Sequence, residues 1–226
     1  MQAHQLWREL CDLLAPVQCP GCGEGKTQLC SGCQKMLYET PQLVERGLSL
    51  RGRHVPVISG GIYHGVRRSV MLEFKNGSRQ KLAIPLVEGL RKSLWGPREG
   101  RGDYLNIVPV PSSLRGMWNR GYLPALLLAT ALANTTPAVV WKKLVVPRWR
   151  VGTFFRARKA SSTRKSRLQR SSRDFRITLR GRGEKVVLLD DVLVTGATIR
   201  AAATALMDAG YIVVAVLVVA HVPDRG

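Results

Sequence analysis

Apolar positions along the chain follow two periods. Leu6, Leu10, Leu13 and Leu14 recur at helical spacing and Pro16 ends the run, so a short amphipathic helix is expected near the start. Segments 66–72 and 80–94 repeat that period around Gly77, and 124–133 reads as a further helix with Pro124 in its first turn. Apolar runs at 55–63, 104–110 and 138–146 read as strands, the first with Gly60 and Gly61 as a bulge and the second stopped by Pro111. The clearest pattern is the last: a strand at 185–189, an Ala-rich helix at 198–209 closed by Gly210, and a strand at 211–219. Strands apolar on both faces and joined by a helix imply a βαβ unit, hence an α/β fold with a parallel sheet and flanking helices. No internal repeat is visible.

Two stretches fall outside these periods. One, from Cys19 to Cys33, is glycine-rich and carries four cysteines. The other, 148–182, contains 13 Lys/Arg and a single acid, Asp174, and reads as a flexible basic loop or solvated hairpin. The expected division is a small N-terminal helix-and-cysteine domain over 1–45, followed by the α/β domain over 46–226 that carries the basic loop.

With 226 residues, 45% of them hydrophobic, the chain can bury a core, which excludes a wholly disordered protein. Its 35 Lys+Arg against 15 Asp+Glu give a formal net charge of +20, a field that attracts polyanions: nucleic acid, anionic membrane or phosphorylated small molecules. The longest apolar run, 211–220, is strand length, so no transmembrane segment is expected. Residues 1–16 lack a secretion signal's basic start and apolar stretch, so the expected compartment is the cytoplasm, where thiols stay reduced.

Cys19, Cys22, Cys30 and Cys33 have the spacing C-x2-C-x7-C-x2-C, two knuckles that together offer four thiolates to one ion. Four soft sulfurs suit Zn2+ and leave no open position for substrate, so the role is structural. A disulfide pair or redox dithiol is the plain alternative, and an iron–sulfur cluster a minor rival. Cys11, on the N-terminal helix, reads as a packing residue.

The segment VVLLDDVLVTGAT, 186–198, sends an apolar strand into Asp190 and Asp191, then a turn of Thr195, Gly196, Ala197 and Thr198 that opens a helix. Ligands bind at this place in open α/β sheets. The helix N-terminus offers N–H groups to a phosphate, Gly196 permits close approach, and the acids accept hydrogen bonds from vicinal hydroxyls directly or beside Mg2+. Thr195 or Thr198 as a simple helix cap is the alternative, but it leaves the acid pair unexplained.

This segment resembles the ribose-5-phosphate signature of type I phosphoribosyltransferases, which bind phosphoribosyl pyrophosphate (PRPP). The whole order of motifs resembles the ComF family of competence proteins: LLAPVQCPGCG and the second knuckle, YHGVRRSVMLEFKNG with Tyr63, Gly65, Arg68 and Lys75, VPVPSSLRGMWNRGY, and VVLLDDVLVTGATI. The resemblance implies a type I phosphoribosyltransferase-like sheet with a zinc-knuckle appendage. It implies ribose contacts and the catalytic role for Asp190 and Asp191, and 5-phosphate contacts for Thr195, Gly196, Ala197 and Thr198. Pyrophosphate would meet Pro111, Ser112 and Ser113, with Arg115 nearby and Lys75 as a further PRPP ligand, and Mg2+ would accompany PRPP. In a reactive member, loss of pyrophosphate leaves an oxocarbenium-like sugar for a nucleophile, with catalysis by positioning and charge neutralisation. Where the family commonly reads RGFNQ, this chain has Arg120, Gly121, Tyr122, Leu123 and Pro124.

Arg156, Arg158, Lys159, Arg164, Lys165 and Arg167 could track a phosphate backbone, and Trp118, Trp149, Phe154 and Phe155 could stack on bases of a single strand. A lid over pyrophosphate is the alternative use of the same loop. His4, His54, His64 and His221 show no ligand spacing. The leading expectation is a ComF-like protein that binds PRPP and single-stranded DNA, acting in DNA uptake and natural transformation with competence-machinery partners. An active phosphoribosyltransferase of nucleobase salvage or nucleotide metabolism, and a non-enzymatic zinc nucleic-acid adaptor, are the alternatives.

Overall fold

Runs of Val, Leu and Ala at 186–189 and 216–220 leave no polar face, and both become inner strands of a sheet covered on two sides. The computed structural model describes residues 18–25, 27–38, 42–44, 47–76, 79–94, 104–111, 121–148 and 171–223. In chain order these form α1 (Ser31–Leu37), β1 (Gln42–Leu43), β2 (Leu48–Leu50), β3 (Arg53–Val55), β4 (Val57–Ser59), α2 (Gly65–Asn76), α3 (Ala83–Leu94), β5 (Leu105–Pro109), α4 (Pro124–Ala133), β6 (Ala138–Val140), β7 (Val145–Pro147), β8 (Phe175–Ile177), β9 (Lys185–Leu193), α5 (Ala197–Asp208) and β10 (Ile212–His221). The main sheet has six strands in the order β1-β4-β10-β9-β5-β6. Every pairing in it is parallel except that of β1 with β4. This is the α/β architecture expected, a parallel sheet with flanking helices.

The strand alternation sorts the core into two layers. Val186, Leu188, Val216 and Val218 pack with Ile199, Ala202 and Leu206 of α5, and with residues of β2, β3, β7 and β8. Val187, Leu189, Leu217 and Val219 pack on the other side with Val70, Met71 and Phe74 of α2, Leu86 and Leu90 of α3, and Leu128 and Leu132 of α4. Leu37 of α1 joins this second layer at 0% exposure, which ties the cysteine segment directly to the core.

The structure departs from the sequence expectations in four places. The run 55–63 is not one strand: β2 and β3 form a hairpin through Arg51 and Gly52, both at positive φ (49° and 76°), and Pro56 separates β3 from β4. The run 138–146 is also divided. Trp141 Nε1 donates to Asn106 Oδ1 at 3.1 Å, and the chain turns there before β7. The far end of the basic segment is folded, with β8 pairing antiparallel to β7 and Phe175 buried at 5% exposure. Phe175 and Ile177 supply two apolar anchors on one face of an otherwise basic stretch. Finally, β9 continues past Leu189 through Leu193, so both acids lie inside the strand and not beyond it. The expected helix at the N-terminus, with Cys11, lies outside the described residues. Among the described residues no helix is long and apolar enough to cross a membrane.

Candidate functional site

Strand β5 has β6 on one side and β9 on the other, while the chain leaves β9 in the opposite direction, to β10. The gap beyond the carboxyl ends of β5 and β9 is therefore the topological switch point, where an open α/β sheet forms its ligand crevice. The register is fixed by Pro109 opposite Leu189 and by the Val110 N–H, which donates to the Leu189 carbonyl at 2.8 Å. Asp190 and Asp191 follow directly on β9, and Pro111 is buried where β5 gives way to the next loop.

After β9 the chain makes a tight turn into α5. Gly196 has φ +69°, and a Cβ there would sit 3.0 Å from Leu48 Cδ2, so both backbone conformation and packing select glycine. The Ala197 N–H donates to Thr195 Oγ1 at 3.4 Å, and the Arg200 guanidinium donates to the Thr195 carbonyl. Thr198, half-buried, lies in the first turn of α5, whose leading N–H groups have no acceptors within the helix and are positioned for an anion.

The two acids are linked to each other and to α2. The Asp191 N–H donates to Asp190 Oδ1 at 2.8 Å. Asp191 Oδ2 meets Lys75 Nζ at 2.9 Å, with side-chain exposures of 15% and 19%. Lys75 stands in the last turn of α2, where the helix dipole also favours a cation. Asp190, Asp191, Thr195, Gly196, Ala197, Thr198, Lys75 and Pro111 thus share the carboxyl edge of the sheet. Ser112, Ser113 and Arg115 lie outside the described residues, as do Arg156, Arg158, Lys159, Arg164, Lys165 and Arg167 and the aromatics Trp118, Trp149, Phe154 and Phe155.

Near this edge, Tyr122 replaces the phenylalanine of the RGFNQ pattern. Its hydroxyl donates to the Phe74 carbonyl in the last turn of α2, and its ring contacts that of Phe74 at a centroid distance of 6.2 Å. The carbonyl has no acceptor role left within the ending helix, so the extra hydroxyl serves as a side-chain cap.

The four cysteines come together as a second candidate site. The Sγ atoms of Cys19, Cys22, Cys30 and Cys33 all lie within 4.8 Å of one another, with Cys22 and Cys30 at 3.7 Å. That spacing fits a tetrahedral four-sulfur set around one ion. The Cys30 N–H points at Cys19 Sγ and the Cys33 N–H at Cys30 Sγ, both at 3.4 Å, as suits sulfurs that carry negative charge. Burial pushes the Cys19 thiol up, but N–H donors from Cys30, Cys22 and Gly21 outweigh it and bring it to about 6. Cys33 moves the other way, raised by burial and by the neighbouring sulfurs. Four thiolates this close repel one another, and a soft divalent cation removes that conflict. Gly21 packs so tightly that an added Cβ would meet Cys33 Sγ at 2.5 Å and Val66 Cγ1 at 3.0 Å, which seats the cluster against the start of α2.

A polar cluster that spacing could not reveal sits at the ends of β4 and β10. His221 Nδ1 is 2.9 Å from Ser59 Oγ, 162 positions away in sequence, and Ser59 Oγ also accepts from the Gly61 N–H at 3.1 Å. Arg67, buried at 7% exposure, donates to the Leu37 carbonyl at 3.2 Å. Burial, with Arg67 adding to it, holds His221 below its ordinary 6.5, against an opposing hydrogen bond from Gly61.

No family description and no curated relative matches the chain. Similar solved structures include the adenine phosphoribosyltransferase of Saccharomyces cerevisiae in complex with adenine and an imino-altritol bisphosphate. It is 14% identical, over 85% of this chain and 89% of that one, with a TM-score of 0.37. The enzyme of Trypanosoma brucei, in complex with AMP, pyrophosphate and ribose-5-phosphate, is 13% identical over 83% of this chain and 67% of that one, with a TM-score of 0.36. Likeness at this level leaves the site to be read from its own residues.

Proposed function

We propose that this protein binds PRPP with Mg2+ in the crevice between β5 and β9. We further propose that, as the ComF resemblance implies, it acts in the cytoplasm on single-stranded DNA during DNA uptake. The observation that carries the first half is one conjunction. An acid pair on a central strand and a left-handed Gly196 turn opening α5 meet at the switch point of a parallel sheet. In this reading the acidic end of β9 takes ribose hydroxyls. The turn from Thr195 to Thr198 takes the 5-phosphate through backbone N–H groups, and the loop opening at Pro111 takes pyrophosphate with Ser112, Ser113 and Arg115. Mg2+ supplies charge neutralisation on the pyrophosphate when bound. Zn2+ in the four-cysteine cluster holds α1 against α2 and takes no part in ligand chemistry.

Charge supports the DNA half. Beyond the net +20 of the chain, Lys142, Lys143, Arg148, Arg173, Arg176, Arg180 and Arg182 are all exposed on or beside the β7–β8 hairpin. The test is single-stranded DNA binding across a salt series, with and without PRPP and Mg2+. Affinity should fall steeply with salt and change when PRPP is present. DNA binding indifferent to PRPP would separate the two activities. Unchanged PRPP affinity in the Asp190→Ala/Asp191→Ala double variant would remove the site assignment itself.

A further inference from the structure

The two acids do not face the same way. Along β9, Val186 and Leu188 pack into the layer of α5, whereas Val187 and Leu189 pack into the layer of α2, α3 and α4. Continuing that alternation puts Asp190 on the α5 side and Asp191 on the α2 side. The ion pair agrees, since Asp191 meets Lys75 of α2 at 2.9 Å. Nor do the acids crown a free strand end. The ladder with β10 runs on past them, through Val192 opposite Ala220 and Leu193 opposite His221. Two carboxylates on opposite faces of a strand still paired on one edge are poorly placed to share the adjacent hydroxyls of one sugar.

Each acid has different company. Asp190 lies on the face toward which the Thr195–Thr198 turn carries the chain into α5. On the other face, the chain that leaves β5 at Pro111 goes on to α4, which packs in the same layer as α2. Lys75 is thus on the side of the loop assigned to pyrophosphate. Its ammonium has three N–H donors, and the contact with Asp191 uses one of them.

We infer that the acid pair is divided in function: Asp190 holds the sugar, whereas Asp191 is a positioning residue that fixes Lys75, and the Lys75 ammonium is offered to the pyrophosphate group. This rests on the phosphoribosyl reading above. The competing account is a purely structural ion pair that joins α2 to the sheet.

The test titrates PRPP, pyrophosphate and ribose 5-phosphate, each with Mg2+, into the full chain by calorimetry. The variants are Asp190→Asn, Asp191→Asn, Lys75→Met, Lys75→Arg and Lys75→Met/Asp191→Asn. For Asp190→Asn, PRPP and ribose 5-phosphate should weaken about tenfold or more while pyrophosphate stays within about twofold. For Asp191→Asn and Lys75→Met the order should reverse, with pyrophosphate and PRPP weakened about tenfold and ribose 5-phosphate nearly unchanged. The double variant should be no worse than Lys75→Met, and Lys75→Arg should recover much of the loss. Asp191→Asn losing ribose 5-phosphate as Asp190→Asn does would overturn the division. Lys75→Met that folds and binds all three ligands normally would leave only the structural pair. Failure of the unaltered chain to bind PRPP at all would instead overturn the phosphoribosyl reading beneath it. Asp191→Asn preserves side-chain shape and Lys75→Arg preserves charge, so a variant that fails to fold does not remove the test.

Discussion

Removing the metal from the cysteine cluster should destabilise the whole protein and not only the knuckle. The reason lies in Leu37, which closes α1 and sits at 0% exposure among Val70, Met71 and Phe74 of α2. α1 has seven residues and starts at the second knuckle, with Cys30 as its cap. A helix this short does not hold itself together in water, so the cluster fixes its position. If α1 detaches, the core loses Leu37 and leaves a cavity in its place, which costs about 2–5 kcal/mol by analogy with buried Leu→Ala changes. For a chain of this size that corresponds to a fall in Tm of about 5–15 °C. The assay is thermal unfolding with and without a chelator, with metal content measured in parallel. Cys22→Ser is the sharper perturbation, because Cys22 is exposed and its replacement opens no cavity of its own. It should nevertheless reproduce most of the chelator's effect. Leu37→Ala should lose comparable stability while keeping the metal. Full loss of metal with an unchanged Tm would refute the reasoning, since the knuckle would then be independent of the core.

Other perturbations test the site and its surroundings. Gly196→Ala forces a side chain into left-handed backbone and towards Leu48. It should cost about 1–3 kcal/mol by denaturant unfolding and weaken PRPP, and an unchanged midpoint would contradict the turn geometry. Tyr122→Phe removes the hydroxyl that caps Phe74 and should cost about 1 kcal/mol, read from the same unfolding curves. His221 is held below its ordinary 6.5, so the unfolded chain binds its proton more readily than the folded one. Stability should therefore be intact above that value and decline as pH falls through it. His221→Asn, which keeps a donor at the Nδ1 position, should flatten that part of the stability–pH curve, and an identical slope would show that another group titrates there.

The sequence alone determined the βαβ end of the chain and the chemistry of both sites. Strands without a polar face require cover on both sides, and that requirement is written locally in 186–189 and 216–220. The cysteine spacing and the acid-then-turn segment are likewise short-range patterns, because a knuckle and a phosphate turn are each made by neighbours in the chain. The helix at 124–133 was legible to the residue for the same reason, with Pro124 marking its start. What could not be read locally is everything made by partners far apart. Pro56 dividing β3 from β4, Trp141 turning the chain after β6, and β8 emerging from a basic segment all depend on contacts with distant strands. The pairing of Ser59 with His221 spans 162 positions and has no signature in either neighbourhood. The same holds at the site itself. Sequence placed Asp190 and Asp191 side by side as equals. Only the packed sheet, with α2 laid on one face, sends the two carboxylates apart and gives one of them to Lys75. A strand fixes the alternation of its side chains, but which face meets which helix is decided by burial across the whole core.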